Sequence, residues 1–184
     1  VISTNLPQKT QKTTIVSVSQ AHQPLFHELY GNQRIMRNIA ETYSEEKINS
    51  LLRSCINAEL KAIPLKRFLV IECNTRNIAV GLLSIQPTHI PDAPIELGMM
   101  LTTKAWGKGI ADEALISLCL YCFKVLNAPA VLARFHPENK SARAICFRLG
   151  YQHAPRIYQQ PELETLWLQN TISNKTAFSS RLFS

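Results

Sequence analysis

One stretch of this sequence combines residue types that could do chemistry: Leu101-Thr-Thr-Lys-Ala-Trp106-Gly107-Lys108-Gly109-Ile110-Ala111-Asp112-Glu113-Ala114. An apolar run ends there, two glycines follow within three positions, and a helical pattern begins. Glycines at such a junction let backbone N–H groups converge without Cβ obstruction. The start of a helix adds its partial positive charge, so the segment suits a phosphate or a pyrophosphate. Two common phosphate loops fail on spacing. A P-loop needs Gly, four residues, then Gly-Lys-Ser/Thr, which does not occur. A dinucleotide fingerprint needs a third glycine where Asp112 stands, and an acidic residue about 20 positions on, where Pro129-Ala130-Val131 stands.

Charge gathers around the same segment. The chain has 184 residues and a formal net charge of +7, and residues 101–160 hold eight basic side chains against three acidic ones. A local surplus marks an anionic partner. The basic residues are singly spaced and no nucleic-acid motif accompanies them, so a small anion is the better match than a polymer.

The length predicts one domain. With 46% hydrophobic and 18% charged residues, the chain can build a core and is not disordered throughout. No apolar run reaches the length of a membrane-spanning helix. No basic segment followed by an apolar one marks a secretory signal at the start. Five cysteines (Cys55, Cys73, Cys119, Cys122 and Cys146) form an odd, scattered set that fits a reducing cytoplasm better than a disulfide scaffold.

Elements that position the loop follow from pattern. Residues 1–12 are polar and read as a flexible lead-in. Thr13–Val18 is β-branched and reads as a strand. A helix follows from Ser19 or Gln20 to Tyr30, and a second from Ser44 with the stripe Ile48, Leu51, Leu52, Cys55, Ile56 and Leu60. Phe68–Ile71 and Ile78–Leu83 make a hairpin across Asn74-Thr75-Arg76-Asn77. Ile95–Leu101 is the next strand, and a long helix runs from about Lys108 to Val125. Its far half is apolar nearly all round, so it must be covered on more than one side. Ala130–Phe135 is a strand, and Asn139 caps a helix ending at Leu149-Gly150. Arg156–Tyr158 and Leu163–Leu168 read as closing strands. The order β-α-α-β-β-β-α-β-α-β-β describes an α+β domain over 13–169 around one sheet, followed by a C-terminal tail, 170–184.

The glycine loop resembles the acyl-CoA pyrophosphate loop of the GNAT superfamily of N-acetyltransferases, Gln/Arg-x-x-Gly-x-Gly/Ala, here Trp106-Gly107-Lys108-Gly109-Ile110-Ala111. Trp106 at the first position and the flanking Ile95-Glu96-Leu97-Gly98 resemble the ribosomal-protein N-terminal acetyltransferase branch (RimJ/RimL-like). Downstream, Pro137-Glu138-Asn139, Ala142 and Leu149-Gly150-Tyr151 resemble the family's Asn-x-x-Ser/Ala … Leu-Gly-Phe/Tyr segment. The resemblance implies a mixed, mostly antiparallel sheet flanked by about four helices. It also implies acetyl-CoA as donor, no metal, and direct transfer to a primary amine. The acceptor it implies is a protein N-terminal α-amine. A polyamine, amino acid or aminoglycoside is the alternative within the enzyme class, and a non-catalytic acyl-CoA sensor the alternative outside it. A monomer or homodimer in the cytoplasm is expected.

The resemblance also implies roles. Backbone groups of Met99 and Leu101 would pair with the pantetheine arm, N–H groups from Gly107 through Ala111 (Lys108, Gly109 and Ile110 between them) would hold the pyrophosphate, and Asn139 would bond near the pantetheine or substrate. Lys104, Lys108, Lys140 and Arg143 are candidates to neutralise phosphates. An N–H at Met100 or Leu101 would stabilise the oxyanion. Glu96 is the candidate base, acting through water; an α-amine, with a pKa of about 8, needs little help. The family's Tyr acid position holds Cys146, and Ser141 stands one residue before the family's Ser, so Ser141 is the remaining candidate donor. Cys119-x-x-Cys122 reads as core rather than a metal or redox pair. His89 and His136 flank strand ends and read as surface or hydrogen-bonded histidines, with a substrate-facing role as the alternative; Trp167 reads as core or cleft wall, and Tyr158 as a cleft candidate.

Overall fold

A computed structural model describes residues 9–59, 66–87 and 93–183. Its seven-stranded sheet runs β1 (Thr13–Ser17), β2 (Arg67–Cys73), β3 (Ile78–Gln86), β4 (Ile95–Leu101), β5 (Ala130–Phe135), β7 (Glu164–Gln169), β6 (Gln152–His153). Every neighbouring pair is antiparallel except β4 and β5. The helices are α1 (Gln23–Tyr30), α2 (Gln33–Met36), α3 (Glu45–Glu59), α4 (Ile110–Lys124), α5 (Lys140–Arg148) and α6 (Ile172–Phe183). The expected mixed, mostly antiparallel α+β fold is observed.

Alternation along the strands divides the core in two. Ile15, Leu69, Ile71, Leu83, Ile85, Leu97 and Val131 meet α4, the buried Cys146 and Leu149, and α6 on one face. Val18, Val70 and Leu82 meet α1, α2 and α3 on the other. The apolar girth of α4 is explained by this arrangement: Ala114 through Phe123 are all buried, between the sheet and the Phe178 and Leu182 side chains of α6. The segment read as a tail therefore contains a helix whose residues complete the main core.

Two local readings change. Arg156–Tyr158 is a 3-10 turn, not a strand. Pro155 lacks the N–H that a ladder requires, and the Tyr158 N–H turns back to the Pro155 carbonyl at 2.9 Å. Pairing with β7 falls instead to Gln152 and His153, opposite Trp167 and Leu166. The first helix is also split, with a 3-10 turn over Gln20–His22 before Pro24 enters the first turn of α1. Leu60 and His89 lie outside the described residues.

Candidate active site

The site begins with a gap in the sheet. β4 pairs with β3 from Gln86↔Glu96 to Gly81↔Leu101. With β5 it pairs only at Ile95↔Val131 and Glu96↔Leu132. Beyond Glu96 the parallel strands part, and a cleft of about 530 Å³ opens between them. The cleft reaches both faces of the sheet: Leu115, Ala142, Ile145 and Cys146 wall one side, and Tyr30, Tyr43, Leu51 and Phe68 the other.

Strand alternation decides which backbone groups face this gap. The Thr102 N–H donates to the Val80 carbonyl at 2.9 Å, so Thr102, Met100 and Gly98 turn their polar groups toward β3. Leu97, Met99 and Leu101 turn theirs to the open edge. The Trp106 indole N–H reaches the Leu101 carbonyl from that edge at 3.2 Å, which agrees with this direction. Of the two amides expected to serve the oxyanion, Leu101 faces the open edge, outside the residues that line the cleft, and Met100 faces β3.

The glycine loop continues from the same strand. Thr103–Ala105 forms a 3-10 turn, then Gly107 and Gly109 adopt φ of +70° and +73°, with Gly109 as the N-cap of α4. These left-handed conformations are the reason for glycine at both positions, since a Cβ strains them. The loop is braced from outside. The Lys12 backbone N–H donates to Glu113 at 2.8 Å, and its ammonium lies 3.6 Å from the same carboxylate. Lys104 pairs with Glu28 of α1 at 3.1 Å, and the Arg34 guanidinium lies 4.9 Å above the Trp106 ring. Arg148 makes a two-point bond to Asp112 in the first turn of α4.

At the fork of the strands, Glu96 lines the cleft and is held by Arg134 of β5. The other guanidinium nitrogen of Arg134 donates to the Tyr158 carbonyl at 2.9 Å, which ties the β6–β7 connection to the fork. Asn139 lines the cleft and caps α5, its Oδ1 accepting from the Ala142 N–H at 3.1 Å. Cys146 lines the cleft as well; burial pushes its thiol up to about 12, so it stays protonated and poorly nucleophilic at neutral pH.

The structure thus brings together Glu96, Met99, Met100, Asn139 and His136 on one cleft, with Leu101 and the loop from Trp106 to Ala111 following on from β4. Ser141 is exposed in the first turn of α5 and is not among the cleft-lining residues. Tyr158 and Trp167 pack together, ring centroids 6.2 Å apart, and their side chains are not among those lining the cleft. Arg143 is engaged by Glu164 at 2.6 Å, Lys108 donates to the Lys104 carbonyl, and Lys140 is exposed. Cys119 and Cys122 are free, buried core thiols.

A family profile described as an acetyltransferase (GNAT) domain matches residues 12–152. This chain belongs to the GNAT acetyltransferase family. Similar solved structures share its fold. One is an acetyltransferase from Agrobacterium tumefaciens, at 22% identity and a TM-score of 0.72, covering 92% of this chain and 97% of that one. A second is the spermidine N-acetyltransferase from Vibrio cholerae in complex with CoA and spermine, at 17% identity and 0.72, covering 90% and 98%. A third is a Vibrio cholerae protein assigned as a ribosomal-protein-serine acetyltransferase, at 19% and 0.72, covering 88% and 95%. No curated protein is significantly similar in sequence. As a GNAT acetyltransferase, this chain uses acetyl-CoA to acetylate an amine.

Sequence reasoning missed several residues that this GNAT acetyltransferase brings to the site. Lys12 fell in the polar lead-in, and only the pairing of β1 with β2 places it beside the Gly109 loop. Nothing local signals that. Arg134 did leave a signal: it is the single charge inside the apolar run Ala130–Phe135, two positions from Leu132, and so shares a face with it. A lone charge on an interior strand requires a partner, and Glu96 is that partner.

Proposed function

We propose that this protein transfers an acetyl group directly from acetyl-CoA to the α-amine of a polypeptide N-terminus, as the RimJ/RimL-like resemblance implies. The observation that carries the reading is the parting of β4 from β5 beside a loop of two left-handed glycines, with one carboxylate at the fork. The residues present fit the donor. Met99 and Leu101 supply open-edge backbone groups that can pair with an extended amide chain. The N–H groups from Gly107 to Ala111, at the head of α4, supply an anion cradle. Acetyl-CoA, when bound, supplies an activated thioester carbonyl.

The chain's own residues then divide the work. Glu96 takes the proton that the attacking amine gives up, through a water molecule. Arg134 orients that carboxylate across the fork. The Met99 N–H, on the open edge of β4 nearer the fork, is directed at the side where negative charge develops on the acetyl oxygen, and it stabilises that charge without reorganising. The N–C bond forms as the C–S bond breaks, and the thiol leaves as thiolate, for which a free-thiol pKa of about 8.5 demands little acid. Ser141, exposed and outside the cleft lining, is not needed for that step. The neutral, buried Cys146 thiol argues against a covalent acyl-enzyme. Five free, buried cysteines suit a reducing cytoplasm.

Exposed apolar side chains at the mouth favour a chain-like acceptor over a small solvated amine. Ile39 and Leu163 line the cleft yet are 52% and 38% exposed. Thiol release measured with peptides whose α-amine is free or blocked tests the reading. Release is expected only with a free α-amine, even where a lysine is present. Equal release from blocked peptides would refute an N-terminal acceptor.

A further inference from the structure

If the protein acetylates polypeptide N-termini, the charge of the acceptor half of the cleft bears on which N-termini it takes, so the inference rests on that reading. Two aromatic walls each carry a lysine. The Lys47 ammonium lies 3.6 Å from the centroid of Tyr43, and the Lys66 ammonium 5.0 Å from that of Phe68. Tyr43, Phe68 and Lys66 all line the cleft. Both lysines are exposed, and neither forms an ion pair among the described residues. A third cation, Arg134, is already matched by Glu96, the one carboxylate among the described lining residues.

Other carboxylates near these elements do not offset Lys66, the lysine among the described lining residues. Glu28 is paired with Lys104, and Glu59 with Arg67. Glu41, Glu45 and Glu46 are exposed around the start of α3 and, like Lys47, are not among the lining residues. An acceptor entering from this side therefore meets one ammonium group with no carboxylate partner among the described residues, that of Lys66. A polycation is repelled by it, and a carboxylate close behind the reacting amine complements it. The exposed Ile39 and Leu163 lie on the same mouth, so the acceptor carries apolar surface as well.

We propose that the preferred acceptor is a polypeptide N-terminus with an acidic side chain within its first few residues, and that Lys66 is the residue that selects it. Titration calorimetry on the CoA-loaded protein would use three peptides alike in first residue and apolar content. Positions two to four would be acidic, neutral or basic, and spermidine would be a fourth ligand. The acidic peptide is expected to bind about fivefold tighter than the neutral one, with the basic peptide and spermidine weakest. That order should flatten as salt rises from about 0.05 to 0.5 M, because the contacts are solvent-exposed. In a Lys66→Gln variant, shown by its melting curve to be folded, the acidic-to-neutral ratio should fall to about one. Equal binding of the peptides, tighter binding of the basic peptide or spermidine, or an acidic preference that survives the substitution would overturn the proposal. Thiol release run alongside separates the two levels. No release from any peptide would count against the N-acetyltransferase reading, while the binding ratios still decide the charge preference.

Discussion

The two halves of the cleft are built from different parts of the chain. The donor half, the open edge of β4 and the loop into α4, is built largely of backbone: outward amides at Met99 and Leu101, and two glycines with positive φ. The acceptor half is built of side chains from α1, the α2–α3 connection, β2 and the fork: Tyr30, Tyr43, Phe68, Lys66, and the Glu96–Arg134 pair. A backbone site tolerates most substitutions except where conformation itself is at stake. A side-chain site can change ligand with a single residue. The same scaffold can therefore keep one donor and exchange acceptors.

Substitutions can break this contrast. The largest effect is expected at the fork. Glu96→Gln should lower kcat by about 100-fold, within the usual contribution of a general base, while acetyl-CoA affinity stays within about twofold. Equal losses in turnover and acetyl-CoA binding would mean that the two halves are not separable. In the donor half, Gly109→Val should weaken acetyl-CoA binding by more than about tenfold in an equilibrium titration. A β-branched side chain at φ +73° is strained, and its Cβ would lie 2.8 Å from the Lys12 ammonium.

Legibility in the sequence divides along the same line. Gly107 and Gly109 announce a backbone requirement through residue type alone, because few other residues adopt their conformation. Asn139 and Gly150 announce the ends of α5 for similar reasons, and both do so here, with Asn139 capping Ala142 and Gly150 at φ +87°. Tyr43, Lys47 and Lys66 announce nothing. Their place is set by how α3 and β2 dock on the sheet, and a Tyr or Lys on a surface element reads like any other. Arg156–Tyr158 misread as a strand because β-branched and aromatic residues carry that signal, while Pro155 removed the ladder bond that would have fulfilled it.

Smaller effects sharpen the comparison. Arg134→Met leaves the Glu96 carboxylate unmatched at the fork. With 12% and 30% of the two side chains exposed, the pair is only partly shielded, so the stability cost should be about 1–2 kcal/mol by denaturant titration. A drop in kcat of about tenfold should accompany it, since the carboxylate loses its orientation. The buried thiols give a pH signature in the core beneath the donor half. Burial pushes Cys119 and Cys146 up to about 12 from an ordinary 9.0. Below pH 9 both folded and unfolded chains keep these protons. Above it only the unfolded chain releases them, so stability should fall progressively from pH 9 toward 12. A Cys119→Ala/Cys146→Ala variant should show a shallower decline in melting midpoint over that range. The smallest change is expected at Trp106→Ala, about threefold in the KM for acetyl-CoA, because it removes one indole bond to Leu101 and leaves the loop amides intact.

The division of the cleft into a backbone-built donor half and a side-chain-built acceptor half is tested most directly by a crystal structure of the protein with acetyl-CoA. The expected result has the pantetheine amides bonded to the outward groups of Met99 and Leu101. The pyrophosphate should lie on the N–H groups from Gly107 to Ala111, with the acetyl group at the fork facing Glu96. Phosphates held elsewhere, or an acetyl group directed away from Glu96, would contradict it.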